Sequence, residues 1–174
     1  MEMNYCRRCG EQLEQKAIGF WQCPNHHSTY LNASPTVGVF FVTDDKQVIL
    51  SRRGIEPNKG MLDSFGGFVD VDESAETAAQ REIHEELGLD TDQYEPLTIL
   101  CTAPSHYFFE EEPRPVLSTF FWSTLKPGAA PHAQDDVAEI VTLPLKDLDL
   151  ALLCADDITQ GMRQLQKVME VSDV

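Results

Sequence analysis

Residues 67–89, GFVDVDESAETAAQREIHEELGL, carry seven carboxylates, three of them crowded together at Glu82, Glu85 and Glu86. Ser74 suits a helix N-cap and Gly88 a left-handed stop, so the stretch predicts a helix over 74–87. Positions three and four apart share a helix face, which sets the three glutamates side by side. Ala79, Ile83 and Leu87 recur every four residues and form the apolar stripe that would hold this helix to a core. Like charges at such spacing cost an isolated helix roughly 0.2–0.5 kcal/mol per pair. A hard divalent cation reverses that sign, because Mg²⁺ takes carboxylate oxygens and bridges to substrate phosphates. The competing reading is a plain solvated acidic face.

Outward from this helix, the pattern is that of one mixed domain. PTVGVFFV and QVILSRR flank the turn TDDK and predict a β-hairpin over residues 36–53. GGFVDV reads as a short strand, and LTILCTA, VLSTFFWSTL and EIVTLPL as further strands. Between the second and third of these, Pro104, Pro113 and Pro115 suggest a binding loop. Residues 156–170 predict an amphipathic helix with Ile158, Met162, Leu165 and Met169 inward.

The residues around the glutamates fix the identity of the motif. Gly67 is followed after five residues by Glu73, and that after seven by Arg81-Glu82-Ile83. One residue later come Glu85-Glu86, and one after that Gly88-Leu89. This spacing resembles the Nudix box, G-x5-E-x7-R-E-U-x-E-E-x-G-U, at every defined position. The resemblance implies an α+β fold, a mixed β-sheet held between helices. It also implies hydrolysis of a nucleoside diphosphate linked to another moiety. Glu82, Glu85 and Glu86, with the backbone carbonyl of Gly66, would ligate Mg²⁺ or Mn²⁺. Glu73 and Arg81 would tie loop to helix, while Gly67 and Gly88 serve backbone geometry. Metal-assisted attack of water on phosphorus also needs a general base. Glu82 is one choice; Glu139, with Asp136 behind it, is the other, since some members carry the base on a loop after the box.

A second cluster lies at the N-terminus. Cys6-x2-Cys9 and Cys23-x2-His26 form two ligand pairs of the kind that close a tetrahedral zinc site. His26 preserves the two-residue gap; His27 is the alternative fourth ligand. The arrangement resembles the zinc ribbon of NADH, ADP-ribose and FAD pyrophosphatases, with histidine in place of the usual fourth cysteine. LNASP, residues 31–35, reads as a connector, giving a ribbon over 1–32 and a catalytic domain over 33–174.

The net charge of −16 opposes general binding to nucleic acid, which relies on Lys and Arg against phosphates. No apolar run approaches a membrane span and the first residues lack an apolar leader core, so the expected setting is cytoplasmic, with no membrane partner. The substrate is then a small nucleotide, with ADP-ribose, NADH or a related dinucleotide first. Pro104 is similar in place to a proline of ADP-ribose hydrolases, and Tyr107 to a tyrosine of diadenosine polyphosphate hydrolases. The SQPWPFPxS-type array of NADH pyrophosphatases is not matched. Tyr107, Phe108, Phe109 and Trp122 are stacking or core aromatics, and Arg52, Arg53 and Lys59 could meet phosphates. Members of the family often dimerise, so a homodimer is a further expectation. The rivals are a non-catalytic ribbon and Nudix module that binds nucleotide or RNA as a regulator, and an enzyme acting on capped RNA ends.

Overall fold

A computed structural model describes residues 3–109 and 112–171. The N-terminal segment forms a three-stranded antiparallel sheet of β1 (Glu14–Ala17), β2 (Phe20–Gln22) and β3 (Ser28–Tyr30). Among the described residues its buried apolar cluster is Cys6, Leu13 and Cys23, with Met3 and Trp21 packed against them. So small a cluster cannot hold a fold alone; segments of this size normally rely on a metal or disulfides.

The rest builds on β4 (Ser34–Val42), paired in parallel with β8 (Glu112–Ser123) and antiparallel with β5 (Gln47–Arg53). β7 (Thr98–Phe109) lies outside β8, while β6 (Leu62–Asp63) and β9 (Val137–Pro144) both pair with β5. β4 is central and buried on both faces, which explains its unbroken apolar run. Val37, Val39 and Phe41 face α1 (Ala75–Leu87), where Ala79, Ile83 and Leu87 meet them. Phe40 and Val42 face the other way, under α2 (Asp156–Val171), with Ile158, Met162 and Leu165. The Phe120 ring lies between Gly38 and Gly161, where an added Cβ would come within 2.6 and 2.9 Å of it. Both glycines are therefore fixed by close approach. The mixed sheet between two helices is the expected fold.

Two expectations need correction. GGFVDV is not a strand: Phe65 and Phe68 make only isolated bridges to Val39 and Thr36. The proline-bearing segment is not a loop, because β7 and β8 run through it as one long antiparallel pair. Proline lacks the ladder N–H, so it is tolerated only at an edge. Pro104 sits on the edge strand β7, and Pro113 and Pro115 precede Val116, where the described pairing of β8 with β4 ends. The connector is also shorter than expected, since β4 begins at Ser34.

Candidate functional site

α1 starts where the Ser74 side chain accepts from the Thr77 N–H and ends at Gly88, whose φ of 65° is left-handed. The segment that follows β8 closes the helix end: His132 N–H donates to the Leu87 carbonyl and Gln134 N–H to that of Glu86. Carbonyls that the helix leaves orphaned are thus satisfied by a loop. The same loop carries Asp136, whose charge acts on both Glu82 and Glu86.

Glu73 and Arg81 are in contact, with Arg81 Nε and Nη2 at 2.9 and 3.1 Å from the two Glu73 oxygens. Arg81 also donates to the Phe68 carbonyl, to Glu82 Oε1 at 2.8 Å and to Glu85 Oε2 at 3.0 Å. One guanidinium therefore pins the Gly-rich loop to the helix and offsets two of the three glutamates. Glu85 is half exposed and turned to Arg81, whereas the Glu86 residue is only 5% exposed. Glu86 Oε2 accepts from the Gly66 N–H at 2.9 Å. β4 takes the carbonyls of Phe65 and Gly67, which by alternation leaves the N–H and carbonyl of Gly66 for the side of Glu86. A Cβ on Gly67 would lie 2.5 Å from Glu82 Oε1, so any side chain there would displace that carboxylate.

Burial raises the Glu82 carboxyl, against the pull of Arg81. Burial, then the charges of Asp136 and Glu82, push the Glu86 carboxyl from 4.5 up to about 9. Several carboxylates thus share a buried space with one guanidinium, a donor set that fits a hard divalent cation. The pH dependence follows. A group with a raised folded pKa contributes stability that is full below its unfolded value and lost as pH rises to the folded one. For Glu86 in the metal-free chain that window runs from 4.5 to about 9. A cation displaces the proton and removes the loss. Added Mg²⁺ should therefore raise the melting temperature far more at about pH 8.5 than at about pH 5.5; equal shifts in a thermal scan at both would contradict a shared cation at Glu86.

Glu139 is not brought to this cluster. It pairs with Arg52, Oε2 to Nε 2.9 Å, and is 61% exposed. Its neighbour Ile140 packs under α1, so strand alternation sends Glu139 to the opposite face. A register of alternating faces, invisible without the partner strand, separates Glu139 from Asp136.

Beside Gly66 and Gly67 opens a cleft of about 830 Å³ on the α2 face of the sheet. Phe68 and Tyr107 flank it edge to face, with ring centroids 5.7 Å apart. Phe108 also lines it, Trp122 packs into the α2 core instead, and the Phe109 side chain lies outside the described residues. Arg53 is in the cleft wall, bound to Asp63 at 2.7 Å and to the Pro57 carbonyl, while Arg52 is taken by Glu139 and the Gly60 carbonyl. Thr36, Asp63, Ser118 and Asp157 also line the cleft, and the sequence reading missed all four. Their signal was parity: each hydroxyl falls in step with inward apolar residues such as Phe40 and Phe120.

In the N-terminal sheet, Cys6, Cys9, Cys23 and His27 bring their ligand atoms within 4.8 Å of one another. Cys9 and Cys23 Sγ are 3.7 Å apart, and His27 Nδ1 is 3.3 Å from Cys9 Sγ and 3.7 Å from that of Cys6. Zn–S bonds of about 2.3 Å in a tetrahedron require S···S edges of about 3.8 Å, so the set fits zinc. Backbone N–H groups of Arg8 and Glu11 hold the Cys6 and Cys9 thiols below their ordinary range. Burial raises Cys23. The expectation of His26 is corrected to His27. His26 takes the left-handed turn position, φ 61°, with its N–H on the Cys23 carbonyl, and its side chain is exposed. The turn is one residue longer than the cysteine knuckle suggests.

Comparison with known proteins places these features. The family model described as NUDIX domain matches residues 33–164. The mouse mitochondrial NAD(P)H pyrophosphatase NUDT13 is 27% identical over 92% of this chain and 41% of its own length. The NAD-capped RNA hydrolase NudC of Haemophilus influenzae is 31% identical over 49% of this chain and 33% of its own. The chain thus spans about two fifths and one third of the lengths of these relatives. A crystal structure of a NUDIX hydrolase from Nitrosomonas europaea superposes with a TM-score of 0.65 at 20% identity, covering 97% of this chain and 91% of that one. Among the described residues no helix is long and apolar enough to cross a membrane.

Proposed function

The chain belongs to the Nudix family, and on that premise we propose that it is a divalent-metal-dependent pyrophosphohydrolase. Its substrate would be a nucleoside diphosphate linked to a second moiety, with NADH first and ADP-ribose or a related compound next. The observation that carries this reading is the convergence of Glu82, Glu86 and Asp136 beside Gly66, at the end of a cleft large enough for a dinucleotide. The name of the mouse relative, an NAD(P)H pyrophosphatase, supports the choice of substrate.

Glu82, Glu85, Glu86 and the Gly66 carbonyl would hold Mg²⁺ or Mn²⁺. When bound, such a cation neutralises phosphate oxygens and lowers the pKa of a coordinated water. Arg81 keeps Glu82 and Glu85 aligned, and Glu73 keeps Arg81 on the loop. Asp136 is the proposed general base, in place of Glu139, because it shares the electrostatic environment of Glu82 and Glu86. Water oxygen bonds to phosphorus, its proton passes to the base, and the bridging oxygen leaves with the electron pair on the second phosphate. Two phosphate-bearing products result. A base of this kind contributes about 10²–10⁴-fold, so Asp136→Asn should lower kcat by that order with little change in KM. Glu139→Gln should stay within about threefold of wild type; the reverse ranking in steady-state kinetics would return the role to Glu139.

Residues 1–32 form the proposed zinc ribbon and 33–174 the catalytic domain. Four protein ligands leave no open position, so that zinc is structural. The proposed setting is cytoplasmic; the mouse relative is named as mitochondrial, and fractionation of expressing cells separates the two. The NudC relatives favour a second reading, hydrolysis at capped RNA ends. Among the described residues, Asp63, Asp156 and Asp157 outnumber Arg53 in the cleft wall, which is unsuited to a polyanion and favours the small molecule. A panel of NADH, NAD⁺, ADP-ribose, FAD, diadenosine polyphosphates and a capped RNA, with Mg²⁺ or Mn²⁺ and chromatographic products, tests the reading. Cleavage of one dinucleotide to two phosphate-bearing products supports it; metal-dependent binding without cleavage gives the lead to a regulatory nucleotide binder.

A further inference from the structure

Asp157, in the first turn of α2, is a buried carboxylate that hydrolysis does not use. It is 6% exposed and lines the cleft. Ser118 Oγ donates to its Oδ2 at 2.5 Å. Thr36 Oγ1 and Ser118 Oγ are 2.6 Å apart. A hydroxyl has one proton, and that of Ser118 is committed to the carboxylate. Thr36 must therefore donate to Ser118, which leaves Thr36 Oγ1 as an acceptor. No other described hydrogen bond reaches Asp157, so its second oxygen is an acceptor as well. All protons of the chain Thr36–Ser118–Asp157 run toward the carboxylate, and the wall offers acceptors alone.

From this polarity we infer that the Thr36–Ser118–Asp157 wall is a specificity site, which selects an uncharged N–H or O–H donor group on a nucleoside moiety of the substrate. A phosphate or carboxylate brought there would face the buried Asp157 carboxylate, whereas Arg53 in the cleft wall is already paired with Asp63, so an anion is disfavoured at this wall. The donor-bearing group is thereby directed to Thr36, Ser118 and Asp157, beside the Gly67–Phe68 segment that bridges Thr36. A site built to receive a donor discriminates strongly against analogues that lack it, because its buried acceptors are then left unpaired. Three groups of a reduced dinucleotide carry this chemistry: the carboxamide, the amino group of the purine, and the ribose hydroxyls.

The inference rests on the dinucleotide hydrolase reading, and the test separates the two. Intact protein with Mg²⁺ is given NADH and three analogues: one with a carboxylate for the carboxamide, one with hypoxanthine for adenine, and NADPH. Wild type should lose about 100-fold in kcat/KM on one of the three, and that analogue names the group. Asp157→Asn, which adds a donor to the wall, should narrow that gap to within about tenfold while the other two ratios hold. Thr36→Val removes the second acceptor without touching the charge, and should narrow it also if Asp157→Asn fails to fold. NADH cleavage with all three analogues within about threefold overturns the inference and leaves the hydrolase intact. If no dinucleotide is cleaved, the hydrolase reading falls. The Kd ranking of the same four compounds then decides the inference: one analogue set apart supports it, and a flat series overturns it.

Discussion

Glu86→Gln is expected to abolish metal-dependent turnover while leaving the protein folded. The substitution keeps size and shape, and an amide oxygen can still accept from the Gly66 N–H. What it removes is the one carboxylate of the box that is buried without a guanidinium beside it. Groups that merely orient metal ligands are worth about 10–100-fold, so loss of a ligand should cost at least about 100-fold in kcat. Stability should move the other way. Without metal, wild type holds a proton on Glu86 up to about pH 9, and ionising it is unfavourable. The variant has no proton to lose. Its melting temperature should fall less across that window than that of wild type, since only the raised Glu82 and Asp63 remain, and it should respond little to Mg²⁺. Turnover near the wild-type rate would sink the assignment of Glu86, and with it the cation site.

The second large effect is expected in the N-terminal sheet. Purified protein should carry about one zinc per chain, and His27→Ala should lose it while His26→Ala keeps it. Structural zinc contributes roughly 10–16 kcal/mol in comparable small sites. The three buried residues of this segment, two of them the ligands Cys6 and Cys23, offer nothing to replace that. Loss of metal should therefore make the first 30 or so residues open to protease. The catalytic domain should persist, because the two clusters under α1 and α2 contain no residue of the ribbon. Metal analysis with limited proteolysis reads both effects. Retention of zinc by His27→Ala together with its loss from His26→Ala would restore the pairing inferred from the knuckle spacing.

The two histidines show where local reading stops. Cys-x2-Cys spacing says that a ligand pair is near, but one left-handed residue in the turn decides which of two adjacent side chains enters. Glu139 and Asp136 repeat the lesson on a larger scale. Both lie in the stretch flagged for a base, and the parity of β9 against β5 turns one away while the loop bound to the end of α1 delivers the other. The proline-bearing segment was misread because proline marks loops in general. Only the strand order reveals that Pro104, Pro113 and Pro115 lie where no ladder hydrogen bond is demanded.

The sequence by itself determined the α1 helix with its caps and the placement of its three glutamates, because helix geometry converts such spacings directly into neighbours. The motif over residues 67–89 identified the family, and the contact of Glu73 with Arg81 followed from that resemblance. The sequence also determined the central strand, whose apolar run has no other use than a core buried on both faces. Only the tertiary structure decided the cleft, the placing of Asp136 rather than Glu139 at the acid cluster, and the wall of Thr36, Ser118 and Asp157. Those three come from β4, β8 and α2 and meet through parallel pairing across 82 positions and helix packing across 39. Such contacts are set by which strand lies beside which, and strand order leaves no periodic trace in the chain.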